Sequence, residues 1–264
     1  MSTLKSTTTI LIFACFFTNA LAQTDASRDS LALKLQNPLA KLVVFPVNID
    51  YNYGFEPHDG SRVTVQLEPV VPAKLSENWR MILRAVAPFV SQSDIVFNGE
   101  SETGLRDFTL SAFFVPTQWS RNGLSFGFGP VISLPTATND FLGTGKWSIG
   151  PTAVLLKQAN KFTAGLLVNQ SWSVAGNSDR ADVSTFLFQP FVSQVFNKGW
   201  SVLGATEILQ DWENDTTNGT VFVLAQKLLN FGNLPLQCAV GPAIPVGNGN
   251  TSEFGFRIRL TATL

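Results

Sequence analysis

Apolar and polar residues alternate along most of this chain, from residue 45 to the last residue. A two-residue period is typical of a β-strand whose two faces meet different surroundings. In the clearest segment, 254–264, apolar residues occupy every even position, whereas Arg257, Arg259 and two threonines lie between them. Twelve segments of this kind can be placed, near 45–55, 62–68, 79–89, 106–116, 124–133, 146–156, 162–172, 184–196, 200–209, 220–229, 234–243 and 254–264.

The number and spacing of these segments favour a closed barrel. Antiparallel barrels of the bacterial outer membrane have an even number of strands, with short turns at one end and longer loops at the other. Here short and long connections alternate. Only the first connection, 56–61, is shorter than expected, because it is predicted to be one of the long outer loops. The sequence therefore predicts an all-β fold, a closed antiparallel transmembrane β-barrel of about 12 strands.

Charged residues fall on one face of the predicted strands. The apolar faces carry no charge inside the strands and are aromatic near their ends, which suits lipid contact, because a charge at the bilayer midplane costs about 2–4 kcal/mol. The opposite faces hold Asp50, Arg62, Glu68, Arg80, Arg84, Asp107, Lys146, Glu207, Lys227, Arg257 and Arg259. The alternative is a secreted soluble β-sandwich binding protein, whose buried face would also be apolar.

The N-terminal residues divide into two parts before the barrel, which we place at 44–264. Residues 1–22 have one early charge, an apolar run and an Ala-x-Ala ending, the layout of a cleaved secretory signal peptide. Residues 23–43 include leucines at helical spacing, which predict a short amphipathic helix over Ser30 to Leu42. This helix could plug the lumen, cap the barrel or form a poorly ordered leader.

Composition excludes several functions. Only 14 % of the residues are charged, with 18 Lys+Arg against 19 Asp+Glu and no basic block, so we expect no nucleic-acid partner. One histidine and, after processing, one cysteine provide neither a zinc cluster nor a disulfide, so we expect no metal or cofactor. The chain is not expected to be an enzyme; the third-ranked alternative, an outer-membrane lipid hydrolase, would have to use Ser61 with His58.

Several short motifs resemble those of one bacterial family. They are Gln36-Asn37-Pro38-Leu39-Ala40, Gly129-Pro130, Leu134-Pro135-Thr136-Ala137-Thr138, the segment 142–151, Asn169-Gln170-Ser171-Trp172-Ser173, Asp179-Arg180-Ala181-Asp182-Val183 and Gln189-Pro190-Phe191. They are similar to the outer-membrane transporter family named for the meta-pathway of phenol degradation, some members of which carry a mistaken neuromedin U label. The resemblance implies an outer-membrane barrel that moves small or aromatic molecules.

The inward charges suggest a mechanism for a pore. Seven cations and four anions on the inward faces give a net charge of +3, which favours anionic or polarisable solutes. We expect the narrowest positive stretch at Arg80, Arg84, Arg257 and Arg259, unless these residues pair with Glu68 and Asp107 and only fill the interior. The predicted lining residues are Arg62, Glu68, Arg80, Arg84, Asp107, Lys146, Arg257 and Arg259.

Three partners are expected for such a pore. They are the lipids of the bacterial outer membrane, small-molecule solutes and the barrel insertion machinery. That machinery usually reads a terminal aromatic residue, whereas this chain ends in Leu264. Assembly efficiency is therefore an open point of the prediction.

Overall fold

The computed structural model of the protein describes residues 25–119, 122–231, 234–249 and 251–264. The predicted signal peptide, residues 1–22, lies outside this range. One α-helix, α1, spans Asp25–Leu35, and a 3₁₀ helix spans Thr117–Trp119. The strand segments are β1 Val44–Phe55, β2 Gly60–Leu67, β3 Val70–Lys74, β4 Trp79–Ser93, β5 Ser101–Leu105, β6 Phe108–Pro116, β7 Leu124–Leu134, β8 Lys146–Ala159, β9 Phe162–Gly176, β10 Ser184–Val195, β11 Trp200–Asp211, β12 Thr216–Phe231, β13 Leu234–Gly247 and β14 Phe254–Thr263.

These segments form one closed antiparallel barrel of twelve strands. Neighbours along the chain pair with each other, and β1 pairs with β14 from Val44↔Thr263 to Tyr53↔Phe254, which closes the sheet. Two strands are interrupted: β2 and β3 pair with successive parts of β4, and β5 and β6 pair with its other edge. The predicted barrel is confirmed. The sandwich alternative is wrong, because a sandwich needs two separate sheets.

Proline and a change of direction explain the interruption between β2 and β3. Pro69 has no backbone N–H for the ladder. Its carbonyl still accepts a 3.1 Å hydrogen bond from the Ala85 amide, so the strand resumes on the same neighbour. The second interruption falls at Arg106 and Asp107, where the Arg106 amide donates to the Pro88 carbonyl over 2.9 Å. Charged residues lie beside both breaks, and two of them, Glu68 and Asp107, belong to the site described below.

The barrel has two different ends. The turn end carries short connections such as 75–78, 160–161 and 196–199, together with the first residue of β1 and the last of β14. The loop end carries the connections 94–100, 135–145 and 177–183, among others. The alternation of short and long connections is less strict than the sequence predicted, because the loop-end connections 56–59 and 212–215 are as short as the turn-end connections 75–78 and 196–199.

The outward face is apolar and the inward face is mixed. Outward side chains of every strand remain exposed in the isolated chain; they include Tyr51, Tyr53, Val63, Val65, Trp79, Leu83, Phe89, Leu110, Phe128, Trp147, Leu155, Phe162, Trp172, Val192, Trp200, Val202, Val223, Val240, Phe254 and Phe256. Inward side chains of the same strands are buried, among them Asn48, Ile82, Phe113, Leu156, Ser193, Gln226 and Arg257. The two-residue period predicted these faces because each strand alternates between them.

Two residues depart from the predicted faces. Phe55 was expected with the outward aromatics of β1, but the strand bulges at Gly54, whose φ is +76°, and Phe55 turns inward and is buried. Lys227 was expected inward. It lies on the outward face of β12 instead, between the buried inward residues Gln226 and Leu228, and opposite Trp200 of β11. The outward face is therefore not free of charge at the turn end.

The N-terminal segment lies inside the barrel. Helix α1 begins earlier than predicted and ends at Leu35, because Pro38 cannot continue it and the Asn37 side chain caps the Leu39 amide at 2.8 Å. Ala32 is fully buried against the inward residues Val195 and Leu228. Leu39 packs among inward side chains of β4, β6, β8 and β9. No helix in the described ranges is long and apolar enough to cross a bilayer.

Candidate functional site

An ion network crosses the lumen at mid-height. Arg257 of β14 faces Asp50 of β1 in register, and its Nε and Nη2 donate to the two Asp50 carboxylate oxygens over 2.6 and 2.8 Å. Its Nη1 reaches Glu207 of β11 over 2.8 Å, and its guanidinium carbon lies 3.7 Å from the Phe222 ring centroid. Since β12 and β13 lie between β11 and β14 in the sheet, this ion pair joins strands that are not neighbours.

A second group of polar side chains lies beside the first. The Arg259 Nε donates to Asn48 Oδ1 over 2.6 Å, and Asn48 Nδ2 donates to Glu68 Oε1 over 2.9 Å. Arg84 Nη2 donates to Glu68 Oε2 over 3.1 Å, and the Gln66 amide also donates to Glu68. The Glu68 carboxylate is thus held by a guanidinium and two amide groups. Buried charges of this kind are retained only when they are paired and hydrogen-bonded.

The central network is balanced in charge. Arg84, Arg257 and Arg259 contribute three guanidinium groups, and three carboxylates lie against them. With Lys227 on the outward face, the residues predicted to face inward are six cations against four anions, a net charge of +2 instead of the expected +3, and within the central network the charges cancel. Arg80 lies closer to the turn end, and its Nε is buried without a hydrogen-bond partner among the described residues. The four arginines expected to form one positive stretch do not do so.

The remaining predicted lining residues lie toward the loop end. Arg62 Nε donates to Gln92 Oε1 over 2.9 Å, and its guanidinium carbon lies 4.8 Å from the Phe55 ring centroid. Gln92 in turn donates to Glu102 over 3.0 Å. Phe55 therefore turns inward to meet a cation, a contact that strand periodicity alone could not predict.

Asp107 and Lys146 bind loops. The Asp107 carboxylate accepts hydrogen bonds from the Ala137 amide, over 3.1 Å, and from the Thr144 amide and hydroxyl, each over 2.7 Å. Lys146 Nζ lies 3.0 Å from an oxygen of Asp182, and this hydrogen bond lowers the pKa of the exposed Asp182 carboxyl below its ordinary value. Arg180, which was not predicted as a site residue, donates to carbonyls of the loop 135–145. These contacts hold the loop against the barrel mouth.

A cavity of about 220 Å³ lies between the N-terminal segment and the wall. Its apolar lining residues are Leu39 of the N-terminal segment and the wall residues Val70, Ile82, Phe113, Val154, Leu167, Phe191 and Leu203. Its polar lining residues include Lys34 of the N-terminal segment and the wall residues Glu68, Arg84, Gln189, Glu207, Gln226, Gln237 and Arg259. A mostly apolar concavity with a few convergent polar groups is the usual form of a small-molecule site.

Helix α1 is fastened to the turn end by one carboxylate. Asp29 accepts hydrogen bonds from Lys161 Nζ over 2.7 Å and from the Gly199 amide over 2.8 Å. Burial alone would raise the pKa of the Asp29 carboxyl, but the Lys161 and Gly199 hydrogen bonds outweigh it, so the pKa lies below its ordinary value. Gln158 Nε2 also donates to the Leu33 carbonyl over 3.0 Å. The helix thus joins the β8–β9 and β10–β11 turns.

The residues of the hydrolase alternative lie away from the cavity. His58 is exposed in the turn between β1 and β2, and Ser61 follows in β2 opposite Tyr53 and Ser93. Ser61 has the outward parity of Val63 and Val65. The lumen and its cavity are therefore the candidate functional site of this protein.

The fold and this site define a class of protein: a closed antiparallel barrel with an apolar exterior, a polar belt inside and an N-terminal segment in the lumen. A family model described as "Putative MetA-pathway of phenol degradation" matches residues 60–260. The chain belongs to this family, as its motifs predicted.

Three solved structures are similar to this chain to different degrees. The COG4313 outer membrane channel from Pseudomonas putida F1 matches with a TM-score of 0.66 and 15 % identity, covering 85 % of this chain and 96 % of the channel. The β domain of the Bordetella autotransporter BrkA gives 0.45 at 9 % identity, covering 84 % and 98 %. Pseudomonas putida OprB gives 0.30 at 8 % identity, covering 85 % and 92 %. No curated protein matches this chain by sequence.

Proposed function

We propose that the protein is an outer-membrane channel for small amphiphilic molecules. The first support is its exterior. The outward face of the described strands carries apolar and aromatic side chains around the whole barrel, and its only charged residues are Lys157 and Lys227 near the turn end. Contact between such an apolar surface and water is unfavourable, whereas its contact with the hydrocarbon of a membrane is not. By the usual topology of outer-membrane barrels, the turn end faces the periplasm and the loop end faces outward.

The proposal about solutes rests on the cavity. A molecule that fits it would place an apolar or aromatic part against Phe113, Leu167 and Leu203 and a polar part toward Gln226 and Glu207. Such a molecule would gain burial of its apolar surface without losing all its hydrogen bonds. Because the charged wall residues are balanced, with two guanidinium groups against two carboxylates, they support neutral amphiphiles such as substituted aromatic compounds rather than anions. The description of the family, which concerns phenol degradation, agrees with this class.

The N-terminal segment supports a closed resting state. Its residues 34–42 line the cavity, and helix α1 is anchored to two turns below it. A solute that leaves toward the periplasm must pass this segment. We therefore propose that the segment acts as a plug that has to shift during transport.

Two measurements test the proposal in sequence. The mature protein, extracted from outer membranes in detergent, is run on gels with and without boiling. A membrane barrel migrates differently when unboiled, whereas a protein that partitions into the aqueous fraction would contradict the membrane location.

Proteoliposomes then receive a neutral aromatic solute or a sugar of similar size. Faster uptake of the aromatic solute is expected. As a matched variant pair, Leu167→Gln removes the apolar wall, and Leu155→Gln makes the same change on the outward face of β8. Because Leu155→Gln is expected to weaken insertion, uptake is normalised to the amount of heat-modifiable protein. Loss of preference in Leu167→Gln alone supports the site, and equal preference in both variants contradicts it.

A further inference from the structure

Among the strand residues that the structure describes, two lysines lie on the outward face of the barrel, and both are at the turn end. Lys157 is close to the end of β8, and Lys227 lies in the second half of β12. A lysine facing lipid costs about 2–4 kcal/mol at the bilayer midplane but about 0–1 near the interface. Their position at one end therefore fits the interface of one leaflet, and the ammonium groups need a polar partner there.

Lys227 is fixed in place by its neighbours. Its Nζ lies 4.7 Å from the ring centroid of Trp200, its register partner in β11, and donates to the Lys198 carbonyl over 2.6 Å. Trp200 is half-exposed, as tryptophans at membrane interfaces are. An ammonium group has three donors, and this one uses one of them on Lys198. Lys227 is thus held at the surface with donors left for an acceptor outside the protein.

Further charges collect around this lysine. Arg28 of helix α1 and Lys198 of the β10–β11 turn both repel it electrostatically, while Asp25 and Asp29 attract it. Asp29 is already hydrogen-bonded to Lys161 and Gly199. Arg28 packs on Gly199, its Cβ lying 3.7 Å from where a Cβ at that glycine would be. Arg28 and Lys198 therefore add positive charge near Lys227, and of the two carboxylates near it Asp29 is already bound by Lys161.

We propose that Arg28, Lys198 and Lys227, with the Trp200 ring, bind the headgroup of an anionic phospholipid in the leaflet at the turn end. The inference rests on the proposed membrane location, although not on transport. The phosphate lies at the depth where the apolar band ends, and a basic cluster attracts an anionic headgroup by about 1 kcal/mol per cation. The tryptophan ring adds a flat apolar contact for the glycerol region. A lipid headgroup, rather than free phosphate, fits because the cluster borders the outward apolar face.

The test measures lipid retention by the full mature protein. Native mass spectrometry in detergent follows titration with phosphatidylglycerol, with phosphatidylcholine and with inorganic phosphate in separate arms. Phosphatidylglycerol is expected to bind in preference to phosphatidylcholine, and Lys198→Gln and Lys227→Gln should each weaken its binding about five-fold. Lys74→Gln is the matched control, because Lys74 is an exposed turn-end lysine that pairs with Glu77.

Each outcome decides the proposal. Equal binding of phosphatidylglycerol to the two variants and the parent would overturn the site, as would equal binding of both lipids. Binding of inorganic phosphate that matches the lipid would overturn the lipid assignment. A protein that holds neither lipid and is stable without detergent would instead contradict the membrane location itself. Heat-modifiable mobility of each variant confirms that a loss of binding does not come from failure to fold.

Discussion

Release of helix α1 is the most direct way to test the closed lumen. Asp29→Asn removes the charge that Lys161 and the Gly199 amide bind, while keeping the shape of the side chain. A hydrogen bond to a charged group is worth about 1.5–3 kcal/mol, and one between neutral groups about 1. Lys161 is 43 % exposed, so its ion pair adds no more than about 1 kcal/mol. The expected loss is about 1.5 kcal/mol, or about ten-fold in the ratio of docked to released helix.

Thiol labelling measures this ratio without relying on transport. Ala32 lies on the fully buried face of the helix, against Val195 and Leu228, so Ala32→Cys is protected when the helix is docked. The background variant Cys238→Ser removes the thiol of the β13 cysteine. In that background, Asp29→Asn should raise the labelling rate of the new thiol about ten-fold, because labelling follows the fraction of open molecules.

A second carboxylate on the same helix provides the control. Asp25 is exposed in the first turn of α1, and Asp25→Asn makes the same change of charge. It should raise the labelling rate by no more than about two- to five-fold, since a helix-terminal charge is worth about 0.3–1 kcal/mol. Equal acceleration in the two variants would show that overall charge, and not the Asp29 contacts, holds the helix. No acceleration in either would refute the reasoning.

Three further predictions concern pH, the central network and the mouth. The folded pKa of Asp29 is lowered, so the Asp29 carboxylate stabilises the docked helix fully above the ordinary pKa of 3.8. This stabilisation is lost as the pH falls through the lower folded pKa. Pepsin cleavage of the N-terminal segment in the parent should therefore accelerate below the folded pKa. Arg257→Gln should lower the stability of the barrel by about 3–5 kcal/mol, because it leaves two unpaired carboxylates in the lumen. The temperature at which heating shifts the gel mobility should therefore fall. Asp107→Ala should expose the loop 135–145 to proteases, since three donors lose their acceptor.

Each of these has its own control. Asp29→Asn should show no pH step in pepsin cleavage, and a persisting step would assign it to another group. Adding Asp50→Asn to Arg257→Gln should recover part of the lost stability, and a further loss would mean that charge repulsion is not the cause. Asp140→Asn, in the same loop, should leave proteolysis near the parent level.

The two-residue period predicted strand number and faces because each strand has to satisfy two environments at once. A shift of one residue would move its whole apolar set to the wrong side, so the pattern is strict and easily read. It failed where the backbone leaves the period, as at the Gly54 bulge, which turns Phe55 inward. It also failed at Lys227, since a lysine can lie on an apolar face when its ammonium group reaches the interface.

Side-chain partners were much harder to predict than faces. Asp50 and Arg257 become partners only when β1 and β14 close the barrel, 207 residues apart in the chain. Glu207 joins them across two intervening strands, which depends on the curvature of the wall. Alternation predicts which residues lie on the inward face but not which of these residues contact each other. The expected positive stretch was wrong for that reason.

The strand number itself explains why the N-terminal segment belongs inside. Eight strands leave an interior that side chains alone can fill, whereas sixteen or more leave an open aqueous channel. Twelve strands lie between these limits, so side chains close only part of the lumen and the rest must hold water, a solute or more chain. Leu39 fills part of this space among apolar wall residues, and the Asp29 carboxylate accepts hydrogen bonds from the turns below it. The plug and the cavity therefore share one interior volume, so a solute bound beside the segment would compete with it for the same apolar wall.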